Sequence, residues 1–200
     1  MSIEKESSVD IILCCYNNQK TIEKCINSIV DQTYQNINIL VFDDNSSDKN
    51  YLLKNFVKSK YIALHDADDY SDKNRIKKQI DFFKTKNNII ALGTAVYETG
   101  NKNLVHTDSS EIFLDKKRLN IYPKYIQSSI LSDIGNYLNP NNLKYEKYLK
   151  EKICMNGTVF FRTKDILNVG GWDGRTRIAG DTEIFLRLLM SNKNKCIYNL

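Results

Sequence analysis

The chain has 200 residues, is 42% hydrophobic, and carries 29 basic and 24 acidic side chains for a net charge of +5. That length and apolar fraction suit one globular domain with a sizeable core and exclude a wholly disordered chain. The basic excess is small and scattered, which excludes a nucleic-acid footprint yet suits anionic small substrates. Cys14, Cys15, Cys25, Cys154 and Cys196 form no C-x-x-C pair. Neither a zinc site nor a disulfide framework is therefore expected, and a reducing, cytoplasmic setting is. The polar start, residues 1–8, is expected to be flexible and is no secretory signal; no apolar run approaches a transmembrane length.

In chain order, Val9 to Cys15 is an apolar run with Asp10 its single charge, and it predicts a buried strand. Tyr16-Asn17-Asn18 turns the chain. Asn18 is placed to cap a helix from about Gln19, with Ile22, Ile26, Ile29 and Val30 as its apolar face. Ile37 to Phe42 predicts a second strand, and Asp43 to Asp48 a loop of turn-forming side chains. Strand, helix, strand in that order implies a parallel crossover. A helix over about 49–58 leads into a third strand, Tyr61 to Leu64, and then Asp66-Ala67-Asp68-Asp69. Ile76, Ile80 and Phe83 predict a helix over 73–86, followed by a strand over 88–97.

Residues 99–152 are polar, rich in tyrosine and hold both prolines, which predicts short helices and loops forming a small polar cap. A strand over 156–161 comes next, then a short helix capped by Thr163 and stopped at Gly170-Gly171. Trp172-Asp173-Gly174 makes a turn, Gly180-Asp181 opens an apolar helix through Ile184, Phe185, Leu188 and Leu189, and Cys196 to Leu200 opens a last strand. The alternation predicts an α/β fold, a mostly parallel sheet flanked by helices, in a single domain over 1–200.

Asp66, Asp68 and Asp69 place three carboxylates within four positions at the end of an apolar run. Such charges repel unless a cation or hydrogen-bond donors lie between them, although an exposed loop sheds the repulsion into water. Asp43-Asp44 and Asp181 lie at corresponding strand and helix ends, where open parallel sheets bind ligands. Each taken alone reads equally as a turn or cap residue.

Taken jointly, the motifs are specific. Ile11-Ile12-Leu13-Cys14-Cys15-Tyr16-Asn17, Cys25 through Gln32-Thr33-Tyr34, and Val41-Phe42-Asp43-Asp44-Asn45-Ser46-Ser47-Asp48 resemble an opening strand, first helix and D-D-x-S-x-D nucleotide loop. Asp66-Ala67-Asp68-Asp69 resembles a D-x-D, and Gly170-Gly171-Trp172-Asp173 with Gly180-Asp181-Thr182-Glu183-Ile184-Phe185-Leu186-Arg187 resembles G-G-[FW]-D and E-D-x-[DE]-hhhR. The set is similar to the inverting nucleotide-sugar glycosyltransferases of family 2, with the Rossmann-like GT-A fold, from about 9 to 189.

The resemblance implies transfer of a sugar, expected from a UDP-linked donor, to a saccharide, lipid-linked or protein acceptor. It implies that Tyr16, Asp44 and the backbone near Cys14 hold the nucleobase, and that Asp66 and Ala67 approach the ribose or donor sugar. Asp68 would bind Mn²⁺ or Mg²⁺ bridging the phosphates, Asp181 would be the general base, and Trp172, Asp69 and Glu183 would contact donor or acceptor. Two departures from the family pattern stand out. Asp44 and Asp66 are only 22 positions apart, where relatives place another strand and helix; the chain is thus shortened between 48 and 60. Gly180 replaces the usual Glu before the base. An early end at Leu200 suits the N-terminal part of a longer protein.

A second reading, a transferase-like domain that binds a nucleotide or partner without turnover, follows from the short segment. His65 reads as a polar loop residue, Cys14 and Cys15 as core, and Trp172 equally as a sugar platform or a packed turn anchor. Donor sugar, acceptor and oligomeric state are not encoded in these patterns.

Overall fold

The computed structural model describes residues 7–43, 53, 55–97, 104–105, 111–112, 156–172, 184–185, 187–188, 191 and 196–199. Strand β1 (Val9–Cys15) is followed by helix α1 (Ile22–Val30), β2 (Ile37–Asp43) and β3 (Tyr61–Asp66). Helix α2 (Arg75–Thr85) leads to β4 (Ile89–Gly93), β5 (Val96–Tyr97), β6 (Leu104–Val105) and β7 (Glu111–Ile112). A 3-10 turn (Asn156–Thr158), β8 (Phe160–Arg162), α3 (Thr163–Asn168) and β9 (Cys196–Asn199) complete the described elements.

Seven strands form one sheet in the order β2-β1-β3-β8-β4-β9-β7, and β5 pairs with β6 apart from it. β1 is parallel to both β2 and β3, and β9 is parallel to β4, while β8 and β7 run antiparallel to their neighbours. The sheet is mixed but mostly parallel, as expected for an α/β fold. Strand alternation sorts the core into two layers. Val9, Ile11, Leu13, Tyr61, Ala63 and Phe160 pack with Cys25 and Ile29 of α1 and with Ile76, Ile80 and Phe83 of α2. Ile62, Leu64 and Phe161 pack on the opposite side with Leu53, Ile166, Ile184, Phe185 and Leu188. Burial on both sides explains why these strands read as continuous apolar runs.

Several expected boundaries move. Asn18 does not cap α1 with its side chain: its Oδ1 accepts the Tyr16 amide at 2.7 Å, and its carbonyl receives the Thr21 and Ile22 amides. Asn17 sits at φ 55°, the left-handed conformation asparagine tolerates. Val30 is 56% exposed and leaves the apolar face of α1 to Ile22, Cys25, Ile26 and Ile29. The run 88–97 is split between β4 and β5, and 156–161 divides into the 3-10 turn and the short antiparallel β8.

Thr163 does not cap α3 with its hydroxyl, which donates to the Ser59 carbonyl at 2.7 Å. The glycine stop holds, since Gly170 and Gly171 have φ 85° and 77° and their amides close back on Leu167 and Ile166. Of the expected cap over 99–152, only β6 and β7 are described; both are strand rather than helix or loop, and β7 joins the main sheet.

The single charge inside β1 has a structural task. The Asp10 carboxylate, 1% exposed, accepts the amides of Lys58 and Ser59 at 2.7 and 2.9 Å, the Ser59 hydroxyl at 2.5 Å and the Asn38 amide at 2.8 Å. It thereby ties β2 and the run into β3 onto β1. Burial pushes its pKa up, but the hydrogen bonds from Ser59, Asn38 and Lys58 prevail and hold it below its ordinary 3.8. Asp10→Ala orphans these donors, and urea unfolding at pH 7 is expected to show a loss of about 3 kcal/mol. A depressed carboxyl contributes above its unfolded pKa and loses that contribution as pH falls through the native value. The gap between wild type and variant should therefore shrink below about pH 4.

Candidate active site

The three parallel strands end side by side. In register, Cys14 faces Phe42 of β2 and Asp66 of β3, and Cys15 faces Asp43. The ends of β1, β2 and β3 thus form one row at the carboxyl edge of the sheet, where a crevice for ligands is expected. Beyond β1 the Tyr16 ring is 65% exposed, available to stack on a planar ligand. Cys14 and Cys15 are half-buried rather than core, and no disulfide joins Cys14, Cys15, Cys25 or Cys196.

Asp66 to Asp69 form a β-turn closed by the Asp69 amide on the Asp66 carbonyl at 3.2 Å. Ala67 points into the core at 2% exposure, whereas Asp68 and Asp69 face solvent. The Asp66 carbonyl also accepts His65 Nδ1–H at 2.8 Å and the Cys25 thiol at 3.5 Å. Burial, with smaller contributions from Cys15 and the three nearby aspartates, pushes the Cys25 thiol up to about 11, so it stays protonated and donates. His65 is not a loop residue: it is 4% exposed at the end of β3. Burial, and then the Arg75 charge, lower its pKa to about 4, and its Nε2 has no hydrogen-bond partner among the described residues.

A cation lies under the turn. Arg75, first residue of α2, donates through Nη2 to the Leu64 carbonyl at 2.7 Å and through Nη1 to the Ser71 hydroxyl at 3.0 Å. Burial lowers its pKa to about 10, while Asp66 and Asp69 pull it back up, so it remains charged at neutral pH. Asp69 is held above the usual carboxylate range by desolvation of its carboxyl and by the charge of Asp68, which Arg75 partly offsets.

The Q-T-Y after α1 also anchors this region. Buried Gln32 donates to the Asp72 carbonyl at 2.8 Å and accepts the Ile76 amide at 3.0 Å, and the Thr33 amide donates to the Lys73 carbonyl at 2.8 Å. Gly157 is packed on Asp66: a Cβ built there would lie 2.5 Å from Asp66 Oδ2. Sequence reasoning missed Arg75, Gln32 and Gly157 as site neighbours. The Asn156-Gly157 pair was the available signal for the last, since it marks a tight backbone position.

Of the residues expected at the site, the structure brings together Cys14, Tyr16, Asp66, Ala67, Asp68 and Asp69. Trp172 follows the glycine stop, half-buried, with its ring 6.1 Å from Phe161 in an edge-on contact. Arg187 braces that turn through the carbonyls of Val169 and Gly171, the latter at 2.6 Å. These contacts are those of a packed turn anchor, and part of Trp172 stays exposed. Asp44, Asp181 and Glu183 lie outside the described residues. A cavity of about 610 Å³ lined by Lys60, Lys84, Arg162 and Lys164 opens at the amino end of β3, away from the acidic turn.

The donor set suits a hard divalent cation. Desolvation and then the charge of Asp68 raise the pKa of Asp69, and a cation would relieve the second of these. No preassembled group of three ligating side chains exists among the described residues.

Two outcomes are expected. With a native pKa near 4 against an ordinary 6.5, buried neutral His65 stabilises the fold above pH 6.5, and that contribution fades as pH falls toward 4. Urea unfolding at pH 7 and pH 5 should give about 2 kcal/mol less stability at the lower pH, a loss that His65→Gln largely removes. Gly157→Ala should force Asp66 to move, lowering the melting temperature by several degrees with a folded circular-dichroism spectrum retained.

The family profile described as "Glycosyl transferase family 2" matches residues 10–51 and 50–151, two pieces that meet inside the short connection between β2 and β3. The E. coli UDP-Glc:alpha-D-GlcNAc-diphosphoundecaprenol beta-1,3-glucosyltransferase WfaP is 30% identical over 105 residues, 39% of this chain and 42% of its own length. Those 105 positions exceed the share of this chain they cover, so the relative holds residues in the aligned stretch that have no counterpart here.

S. aureus TarS 1-349 in complex with UDP superposes with a TM-score of 0.64 at 15% identity, covering 96% of this chain and 60% of that one. The mannosyltransferase PcManGT from Pyrobaculum calidifontis, in complex with GDP-Man and Mn²⁺, gives 0.59 at 12% identity, covering 98% and 57%. At these identities the two likenesses establish the α/β, GT-A-type fold. The chain spans less than half of WfaP and about three fifths of either solved chain. Because the profile covers well over half of its residues, the chain belongs to glycosyl transferase family 2.

Proposed function

We propose that the chain transfers a sugar from a nucleotide-sugar donor, UDP-linked, to an acceptor hydroxyl with inversion and with help from Mn²⁺ or Mg²⁺. The observation that carries this reading is the row at the carboxyl edge: Cys14 registered against Asp66, the exposed Tyr16 ring beyond β1, and an acidic turn held from beneath by buried donors. UDP in a TarS complex and GDP-Man with Mn²⁺ in the mannosyltransferase support it.

Each residue has a stated part. The Tyr16 ring stacks on the base, and Asp44 accepts from its edge. Asp66 and the adjacent backbone of Ala67 receive the ribose or donor sugar, and Asp68, exposed on the turn, would hold the divalent ion. When bound, that ion neutralises charge growing on the departing nucleoside diphosphate. Asp181 takes the proton of the acceptor hydroxyl as it attacks the far face of the sugar, and such a positioned base contributes about 10²–10⁴-fold. Asp69 and Glu183 are assigned donor or acceptor contacts in the same reading. The acceptor is lipid-linked by the precedent of WfaP, and the setting is cytoplasmic. No helix among the described residues is long and apolar enough to cross a membrane.

A second reading keeps the nucleotide but not the turnover. It rests on the connection between β2 and β3, which spans only residues 44–60 and includes the helical Leu53, Asn55 and Phe56. A donor screen that reads released nucleoside diphosphate with Mn²⁺ present separates the two. In that assay Asp181→Asn is expected to lower turnover at least about 10²-fold while UDP binding survives. Asp68→Asn should instead abolish the metal dependence of UDP binding. Wild-type turnover in Asp181→Asn would remove it as the base.

A further inference from the structure

One buried polar chain links β3, α2, β4 and the 3-10 turn around Asp66. Arg75 donates to Leu64 at the end of β3, to Ser71 just past the acidic turn, and through Nε to Gln79 Oε1 at 3.3 Å. Gln79, fully buried, donates in turn to the Leu92 carbonyl at the end of β4 at 3.2 Å and to the Thr158 carbonyl at 2.7 Å. The Thr158 hydroxyl accepts the Thr94 amide at 3.2 Å, and its neighbour Gly157 is the residue whose backbone abuts the Asp66 carboxylate.

The guanidinium does two jobs that no single neutral group can do. It satisfies three acceptors in a fixed fork, and it sets a permanent positive charge beneath Asp66 and Asp69. Burying a cation is costly unless it is paired and hydrogen-bonded. An aliphatic side chain here would leave the Leu64, Ser71 and Gln79 acceptors without this donor and would remove the positive charge that acts on Asp66 and Asp69.

Resting on the nucleotide-sugar reading of the site, we propose that Arg75, acting with Gln79, is a positioning residue: it holds the acidic turn Asp66–Asp69 and the Gly157 turn at one spacing, and so sets affinity for the diphosphate of the donor. Neither residue touches the donor. Lysine at position 75 keeps the charge but loses the fork, which separates geometry from electrostatics. Leucine at position 79 leaves the bonds of Arg75 to Leu64 and Ser71 in place but removes the acceptor of Arg75 Nε and the donor shared by the Leu92 and Thr158 carbonyls.

The experiment is calorimetric titration of the whole chain with UDP over a series of Mn²⁺ concentrations, well below the melting temperature, with melting curves recorded alongside. Arg75→Lys is expected to raise the UDP Kd at least tenfold and to shift the Mn²⁺ concentration for half-maximal effect upward, in protein that is still folded. Gln79→Leu should weaken UDP binding several-fold in the same direction and serves alone if Arg75→Lys does not fold. Folded variants with wild-type Kd and wild-type Mn²⁺ dependence, whatever their melting temperatures, overturn the inference while leaving the site reading intact. Wild-type protein that binds no UDP at any Mn²⁺ concentration overturns both.

Discussion

The parallel pairing of β1 with β2 on one side and β3 on the other is the constraint on which the acidic edge depends. Because both ladders run in the same direction and in register, the residues that leave the strands leave them together, at Cys15, Asp43 and Asp66. Parallel strands need cover on both faces, and the alternation of Ile11 and Leu13 against Ile12, and of Tyr61 and Ala63 against Ile62 and Leu64, supplies two apolar layers for that cover. Asp10 fastens the opposite end of the same three strands through four hydrogen bonds. The sheet is clamped at its amino edge by a satisfied carboxylate and left open to chemistry at its carboxyl edge.

At that open edge the electrostatics are layered. Asp68 and Asp69 face solvent, the Asp66 carbonyl collects donors from His65, Cys25 and the Asp69 amide, and the Arg75 guanidinium lies beneath. Each layer limits the next. The low pKa of His65 keeps it neutral, so the only fixed cation below the acids is Arg75 among the groups that contact this turn. A turn whose acids are partly balanced from within keeps its shape before a ligand arrives, which is what preorganised charge recognition requires. Gly157 permits the close approach of the 3-10 turn to Asp66, and any side chain there would compete for the same space.

Much of this was legible in the residues, for identifiable reasons. The apolar runs of β1 and β3 and the stripe of Ile76, Ile80 and Phe83 each repeat at the period of one element, so local pattern and final burial agree. Gly170-Gly171 stops α3 because both take positive φ. Where the reading went astray, a partner other than the helix end had captured a polar group. Thr163 looked like a cap, but its hydroxyl goes to Ser59, and Asn18 turned its side chain back to Tyr16. His65 looked like part of the acidic loop because its burial comes from α1 and α2, which no local pattern announces.

The sequence by itself determined the order of strands and helices from β1 to β4, the burial of those strands and the presence of acids where β3 leaves the sheet, since all three follow from periodicity and from residue types along a single stretch. Only the tertiary structure decided which groups stand under those acids. Arg75 lies eleven residues from Leu64, Gln79 lies 79 residues from Thr158, and Cys25 lies 41 from Asp66. Contacts across such separations depend on how helices settle against the sheet, and neither composition nor spacing carries that information.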